Sequence, residues 1–253
     1  MDKVDAVVLA GDSKSFIQIY GKWMVEYVID ALRSSPCIGK ISIVGAAKRL
    51  KERLGEQVDY YVEERGDIFD NLEAGLKALG ETGHVLIATS DIPMIREEII
   101  TDFIRKCQDL EADLCYPIVE KGINDSKYPG FNRTYVRVKE GIFTGGNIIY
   151  INPKVIKKCT SFARKVIEYR KRPWKLGRLL GLSFLLMLIM GTLSISRVEE
   201  RLEQLLNIRA VAIISPFPEL ANDVDKSSDL EKVYQYLLDK QGSNRGGERG
   251  VKL

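Results

Sequence analysis

The sequence holds a single histidine, His84, and four scattered cysteines, Cys37, Cys107, Cys115 and Cys159, with no Cys-x-x-Cys pair among them. That scarcity argues against zinc ribbons and disulfide frameworks. His84 opens an apolar run far from any matching serine or cysteine, which argues against a nucleophilic triad. Dispersed thiols with no signal-peptide pattern ahead of them predict a reducing, cytoplasmic setting. An excess of either charge is also missing. Thirty-eight Lys and Arg against 35 Asp and Glu leave a net charge of +3, too little to predict a nucleic-acid partner. Uninterrupted apolar runs are lacking too: the longest uncharged stretch, residues 179–196, contains Gly181, Ser183, Gly191, Thr192, Ser194 and Ser196, where a spanning helix wants about 20 predominantly apolar residues. What is present is ordinary globular composition, 45% hydrophobic and 29% charged over 253 residues, enough for one substantial core.

Within that composition the first half alternates β-rich and helical patterns. Val4–Ala10, Lys40–Gly45, Val58–Val62, Val85–Thr89 and Leu114–Val119 read as strands. Met24, Val25, Val28, Ala31 and Leu32, and later Ile99, Ile100, Phe103, Ile104 and Cys107, recur at helical spacing. The alternation predicts an α/β fold, a mostly parallel twisted sheet with helices on both faces. From Lys127 the pattern changes. Tyr128, Pro129 and Gly130 break the chain, and Tyr135–Val138 and Asn147–Ile151 read as strands flanking a turn at Gly145 and Gly146, so that residues 127–209 read as a small insert beside the sheet. A final strand, Ala210–Ile214, and a closing helix, Leu230–Leu238, complete one domain over residues 1–240, with residues 241–253 read as a disordered tail. Residues 157–178 carry nine basic side chains and one acidic one, Glu168, and run directly into the uncharged stretch. A helix buried against the sheet or in a homodimer contact, and a basic, apolar surface docking peripherally on a membrane, both fit residues 157–196.

Three short segments could carry chemistry. Leu9-Ala10-Gly11 ends the first strand and Gly21-Lys22 reads as a helix start; a glycine there lets backbone N–H groups approach phosphate oxygens, with lysine supplying charge. Asp91, in Thr89-Ser90-Asp91-Ile92-Pro93, ends an apolar strand, where ligands of open α/β sheets sit. It could ligate a metal or simply cap the next helix. Asp223 and Asp225 lie two apart and so on one side of an extended segment, where they could address one ion. A cap of the last helix by Asp225, Ser227 or Ser228 would account for one acid and not for both. Asp109, Glu111 and Asp113 read as a solvated helix end.

In this order, the segments resemble the MobA-like nucleotidyltransferase family. The matching residues are Val7-Val8-Leu9-Ala10-Gly11, Gly21-Lys22-Trp23-Met24-Val25, Ser90-Asp91-Ile92-Pro93 and Asp223-Val224-Asp225-Lys226-Ser227-Ser228-Asp229-Leu230. The resemblance implies a nucleotide-diphospho-sugar transferase-like fold with an acceptor-side insert. It also implies a nucleoside triphosphate and a small acceptor as partners, and Mg²⁺ as cofactor. By it Leu9, Ala10, Gly11 and Lys22 would hold the triphosphate, with Asn71 and Gly75 near the base. Asp91 and Asp225 would bind Mg²⁺ with Asp223 beside them, so that Lys22, Asp91 and Asp225 form the catalytic set. Arg133, Thr134, Thr144, Gly146 and Asn147 would face the acceptor. The chain departs from relatives in the loop Asp12–Tyr20, which has no glycine and opens with an acid, and in Trp23, which replaces a proline. Asp12 near a triphosphate is repulsive, and Lys14 partly compensates. Alternatives of other classes are a nucleotide-sugar-dependent glycosyltransferase, whose sheet also uses Asp-x-Asp, and an inactive nucleotide-binding or membrane-docked protein.

Overall fold

Strand β1 (Val4–Ala10) is apolar on both sides, and alternation sends Ala6 and Val8 to one core and Val7 to another. Such a strand belongs at the centre of a sheet covered on both faces. The computed structural model, which describes residues 2–169 and 172–247, places it there. β1 pairs in parallel with β4 (Ile38–Gly45) and β6 (Val85–Thr89), and β4 pairs in parallel with β5 (Tyr60–Glu63). On one face lie α1 (Met24–Ser34) and α4 (Glu97–Gln108), burying Val25, Val28, Ile29 and Leu32 and Ile99, Ile100, Phe103 and Ile104. Each such side chain is worth about 1.5–3 kcal/mol on burial, enough to hold helices too short to be stable alone. The peripheral α2 (Ala47–Leu54) buries Leu50 and Leu54.

The other face is covered by α3 (Ile68–Leu79), which approaches β1 and β4 through Gly75. A Cβ on Gly75 would lie 2.6 Å from Val7 Cγ1 and 2.9 Å from Val44 Cγ2. Gly75→Ala is therefore expected to lower stability by about 1–3 kcal/mol through overpacking, read as a lower urea midpoint at unchanged m-value.

The segment from Lys127, expected beside the sheet, contributes strands to it. β7 (Leu114–Glu120) is followed by α5 (Lys121–Lys127), β8 (Val136–Val138), β9 (Gly141–Gly145) and β10 (Ile148–Ile151). β10 lies antiparallel between β6 and β7, while β9 joins β7 to β8, and β11 (Ala210–Ser215) adds to β7 in parallel. Of the two glycines expected as a turn, Gly145 ends β9, pairing with Ile118 and leaving room for the Tyr116 ring, while Gly146 lies in the short connection to β10. α6 (Ile156–Tyr169) and α9 (Ile195–Leu206) pack on the same face as α3.

The uncharged stretch is not one helix buried on the sheet. It divides at Gly181, whose φ of +102° ends α7 (Pro173–Leu180) and lets α8 (Leu182–Ile189) leave in a new direction. No helix among the described residues is long and apolar enough to cross a membrane. α10 (Ser227–Gly247) closes the chain, starting earlier than the sequence pattern suggests and running into the segment read as a tail. Residues 248–253, the remainder of that segment, lie outside those described.

Candidate functional site

Loops leaving the carboxyl ends of β1, β6 and β11 meet in front of the sheet, the place where open α/β sheets bind ligands. Backbone bonds tie them: Ser90 N donates to Leu9 O at 3.2 Å, Val224 N to Asp91 O at 2.9 Å and Asn147 N to Leu220 O at 2.7 Å. A small core of Ile19, Met24, Met94, Tyr128, Phe131, Val224 and Val233 packs these loops against α10. The bond from Val224 turns the residues on either side of it toward Asp91. Asp91, Asp223 and Asp225, distant in sequence, offer carboxylate oxygens that all lie within 4.8 Å of one another.

The helix cap that could have claimed these acids is made by another residue. Asp229 Oδ2 accepts from the backbone N–H groups of Asp225 at 3.2 Å and Lys226 at 3.1 Å, satisfying donors at the start of α10. The side chains of Asp223 and Asp225 are left for other work.

Each acid has a distinct environment. Burial pushes the Asp91 carboxyl above its ordinary value of 3.8, with Lys14 pulling it down and Asp225 pushing it up. Its Oδ1 is buried with no hydrogen-bond partner. Burial also raises Asp223, opposed by Arg133 and reinforced by the other two acids. Arg133 Nη1 donates to Asp223 Oδ1 and Nη2 to Asp223 O, and Asn147 Nδ2 donates to the same carboxylate at 3.3 Å. The hydrogen bond from Lys14 Nζ, at 2.8 Å, holds Asp225 below its usual range. An all-oxygen set with an orphaned buried oxygen, its three acids offset only in part by Lys14 and Arg133, fits a hard divalent cation.

Lys14, and not Lys22, is the lysine of this cluster. It stands on a short 3-10 turn, Ser13–Phe16, capped by Asp12, whose Oδ1 accepts from Lys14 N at 3.1 Å. Asp12, repulsive on paper, is the cap of this turn and lies 3.8 Å from Lys14 Nζ. A buried contact of 2.7 Å between Ser15 Oγ and Ser90 Oγ pins the turn to the end of β6. Gly21-Lys22 does not begin a helix. Lys22 and Trp23 form β3, paired with β2 (Gln18–Ile19), and α1 starts at Met24, where Glu26 Oε2 accepts from Trp23 N at 2.6 Å. That geometry sends Lys22 Nζ to Asp30, at 2.7 Å, over the Tyr27 ring. Trp23, in place of the proline, packs edge-on to Phe16 beneath Arg49 and Arg53.

Other expected positions divide. Leu9 and Ala10 lead into Gly11, which is exposed; a Cβ there would lie 2.5 Å from Oε2 at the end of the exposed Glu64 side chain and 3.6 Å from Asn71 Nδ2. Asn71 is thus beside Gly11, its Oδ1 accepting from Arg65 N at 2.6 Å. Gly75 is buried on Val7 and Val44, so helix packing accounts for it. On the acceptor side, Arg133 and Asn147 reach the acids, whereas Thr144 is buried in β9 and Gly146 packs on Pro117. Thr134 is exposed. Glu64 and the contact between Lys14 and Asp225 escaped the sequence reading; an acid one residue past the end of an edge strand has no distinguishing pattern. His84 stacks on Tyr150, and Asp113 accepts from Arg209 N at 2.9 Å, both in structural roles.

Comparison with known proteins agrees with this fold. The model of the MobA-like NTP transferase domain matches residues 7–167. A hypothetical transferase from Thermus thermophilus is 36% identical, with a TM-score of 0.80 over 90% of this chain and 99% of that one. A CMP:2-keto-3-deoxy-manno-octonic acid synthetase complexed with CTP is 14% identical, with a TM-score of 0.61 over 95% and 100% of the two chains. The 4-diphosphocytidyl-2C-methyl-D-erythritol synthase of Anaerococcus prevotii DSM 20548 is 12% identical, with a TM-score of 0.60 over 94% and 99%. At the last two identities the likeness is one of fold. Among curated proteins none matches. With the family match running from β1 through α6, and so through Leu9–Gly11 and Asp91, this chain belongs to the MobA-like NTP transferase family.

Proposed function

We propose that the protein transfers a nucleoside monophosphate from a nucleoside triphosphate to a small phosphorylated or hydroxylated acceptor, with release of pyrophosphate and dependence on Mg²⁺. The observation that carries this is the convergence of Asp91, Asp223 and Asp225 with Lys14 in front of the sheet, beside the open backbone at Gly11. An acceptor oxygen attacks the α-phosphorus, the bond to the pyrophosphate oxygen breaks, and no side-chain nucleophile is needed. Asp91 and Asp225 would hold Mg²⁺, which would supply neutralising charge for the phosphates. Lys14 exchanges its contact with Asp225 for the phosphates, and the backbone at Gly11 admits them closely because no side chain intervenes. Arg133 holds Asp223 in place and, with Asn147, lines the acceptor side. The protein's task is positioning and charge neutralisation.

Lys14→Ala is expected to lower kcat/KM by about 10- to 1000-fold, as loss of one preorganised charged donor does, while Lys22→Ala stays near wild type. Equal losses in both would shift the phosphate-binding role away from Lys14. The function itself is tested by incubating the protein with each nucleoside triphosphate, Mg²⁺ and a panel of phosphorylated and hydroxylated acceptors, and measuring pyrophosphate. Acceptor-dependent release with one triphosphate is expected. No release from any combination, with no rise in melting temperature on adding triphosphate and Mg²⁺, would remove the proposal.

A further inference from the structure

We infer that α7 and α8 form a docking surface for an anionic lipid bilayer. α8 contains no charged residue, and none of its side chains is fully buried: Phe184, Leu185, Met187 and Leu188 are half-buried, while the others face outward. Leu182, Leu186 and Ile189, spaced four and three apart on one helix face, are 68%, 49% and 73% exposed, and Met190 at the helix end is 65% exposed. A surface helix turns polar residues outward, and one that is apolar all round belongs in a core or against lipid. Here the chain covers one side of α8 in part and leaves the Leu182, Leu186 and Ile189 face open. On α7 Trp174 is also two-thirds exposed, at 68%, an amphipathic ring of the kind that sits at bilayer interfaces. Arg178 follows one turn later on the same exposed side.

The surface is held in a fixed shape. Arg201 of α9 clamps the corner between the two helices, its Nε donating to Leu180 O at 2.6 Å. At the far end Lys139 N donates to Leu193 O at 2.9 Å, and Leu193 is buried. Each helix has eight residues, about 12 Å of rise. That is far short of a hydrocarbon core of about 30 Å, so the surface lies on a bilayer and does not enter deeply.

Charge selects the occupant. The chain leading into the apolar corner, residues 157–178, has nine basic residues and one acidic residue. Arg164 among them is engaged with Asp67 and Asp70. Lys157, Lys158, Lys165, Arg172 and Arg178 are exposed. A second copy docked isologously would set cation against cation around its apolar contact. An anionic leaflet supplies both an apolar layer for Leu182, Leu186, Ile189 and Trp174 and negative charge for the flanking bases.

The test is cosedimentation of the full-length protein with vesicles of phosphatidylcholine and phosphatidylglycerol in equal amounts, against phosphatidylcholine alone. Binding to the anionic vesicles is expected to be at least about tenfold tighter than to neutral ones, and to weaken in high salt. The double substitution Leu186→Asp/Ile189→Asp should abolish it with no change in melting temperature, since neither side chain is buried. The emission of Trp174 should shift to the blue on binding, and the shift should vanish in Trp174→Phe. Absence of vesicle binding, indifference to lipid charge, or full binding by the double variant would each overturn the proposal. A light-scattering dimer that the double variant dissolves, with no vesicle binding, would overturn it in favour of a contact between copies.

Discussion

Asp91→Ala is expected to reduce nucleotidyl transfer by at least about a thousandfold, some 4 kcal/mol of transition-state stabilisation, while the protein stays as stable as wild type or becomes more so. The two halves of that outcome have one cause. Burial raises the Asp91 carboxyl, so the folded protein holds its ionised form at a cost near neutral pH. Its Oδ1 is buried without a partner, and two further acids stand within 4.8 Å. Removing it relieves repulsion and desolvation together, whereas removing a merely structural acid would lower stability. Asp91→Asn, which keeps the shape and loses the charge, should be nearly as inactive. A melting temperature that rises with Mg²⁺ and triphosphate in the wild type and not in Asp91→Ala would connect the loss to ligand binding. Undiminished turnover in Asp91→Ala would remove Asp91 from the mechanism.

Glu219→Ala is expected to produce the largest loss of stability, about 3 kcal/mol. Glu219 is fully buried, its Oε1 accepting from Lys127 at 2.8 Å and Arg96 at 3.3 Å, with Tyr236 of α10 at 3.4 Å. The substitution leaves two cations facing the space of one carboxylate. Burial alone would raise Glu219, but the hydrogen bond and charge of Lys127 hold it below its ordinary value of 4.5. A carboxyl whose folded value is depressed contributes stability that is complete above the unfolded value and fades as pH falls through the folded one. Urea midpoints of wild type and Glu219→Ala should therefore differ most near neutral pH and converge in acid. A difference that stays constant from neutral pH into acid would show that packing, and not charge, is what Glu219 supplies.

Much of the framework was legible because it is dictated locally. Val4–Ala10 and Val85–Thr89 are apolar runs closed by Gly11 and by Ser90-Asp91, and both are strands with those bounds. Asp91 and the pair at Asp223 and Asp225 stood out as a candidate ion site because each lies at a strand end or in a loop, and the structure brings their carboxylate oxygens within 4.8 Å of one another. The remainder depends on contacts across long separations. Gly145 reads as part of a turn until β7 supplies its pairing partner, Ile118. Lys22 reads as a phosphate ligand until the hairpin with Gln18–Ile19 rotates it toward Asp30. Lys14 meets Asp225 across 211 positions, on a turn that the contact between Ser15 and Ser90 fixes. Glu219 and Lys127 lie 92 positions apart, and no spacing rule joins them. The apolar stretch from residue 179 left several readings open, since hydropathy reports that a helix seeks burial and not whether its own chain provides it.

The most direct test of a single cation centre built from two distant segments is titration with Mn²⁺, followed by electron paramagnetic resonance, in the presence of a non-hydrolysable triphosphate. Wild-type protein should bind one nucleotide-dependent Mn²⁺ per chain, and Asp91→Ala and Asp225→Ala should each lose it. Retention of that ion by both variants at wild-type affinity would contradict the account.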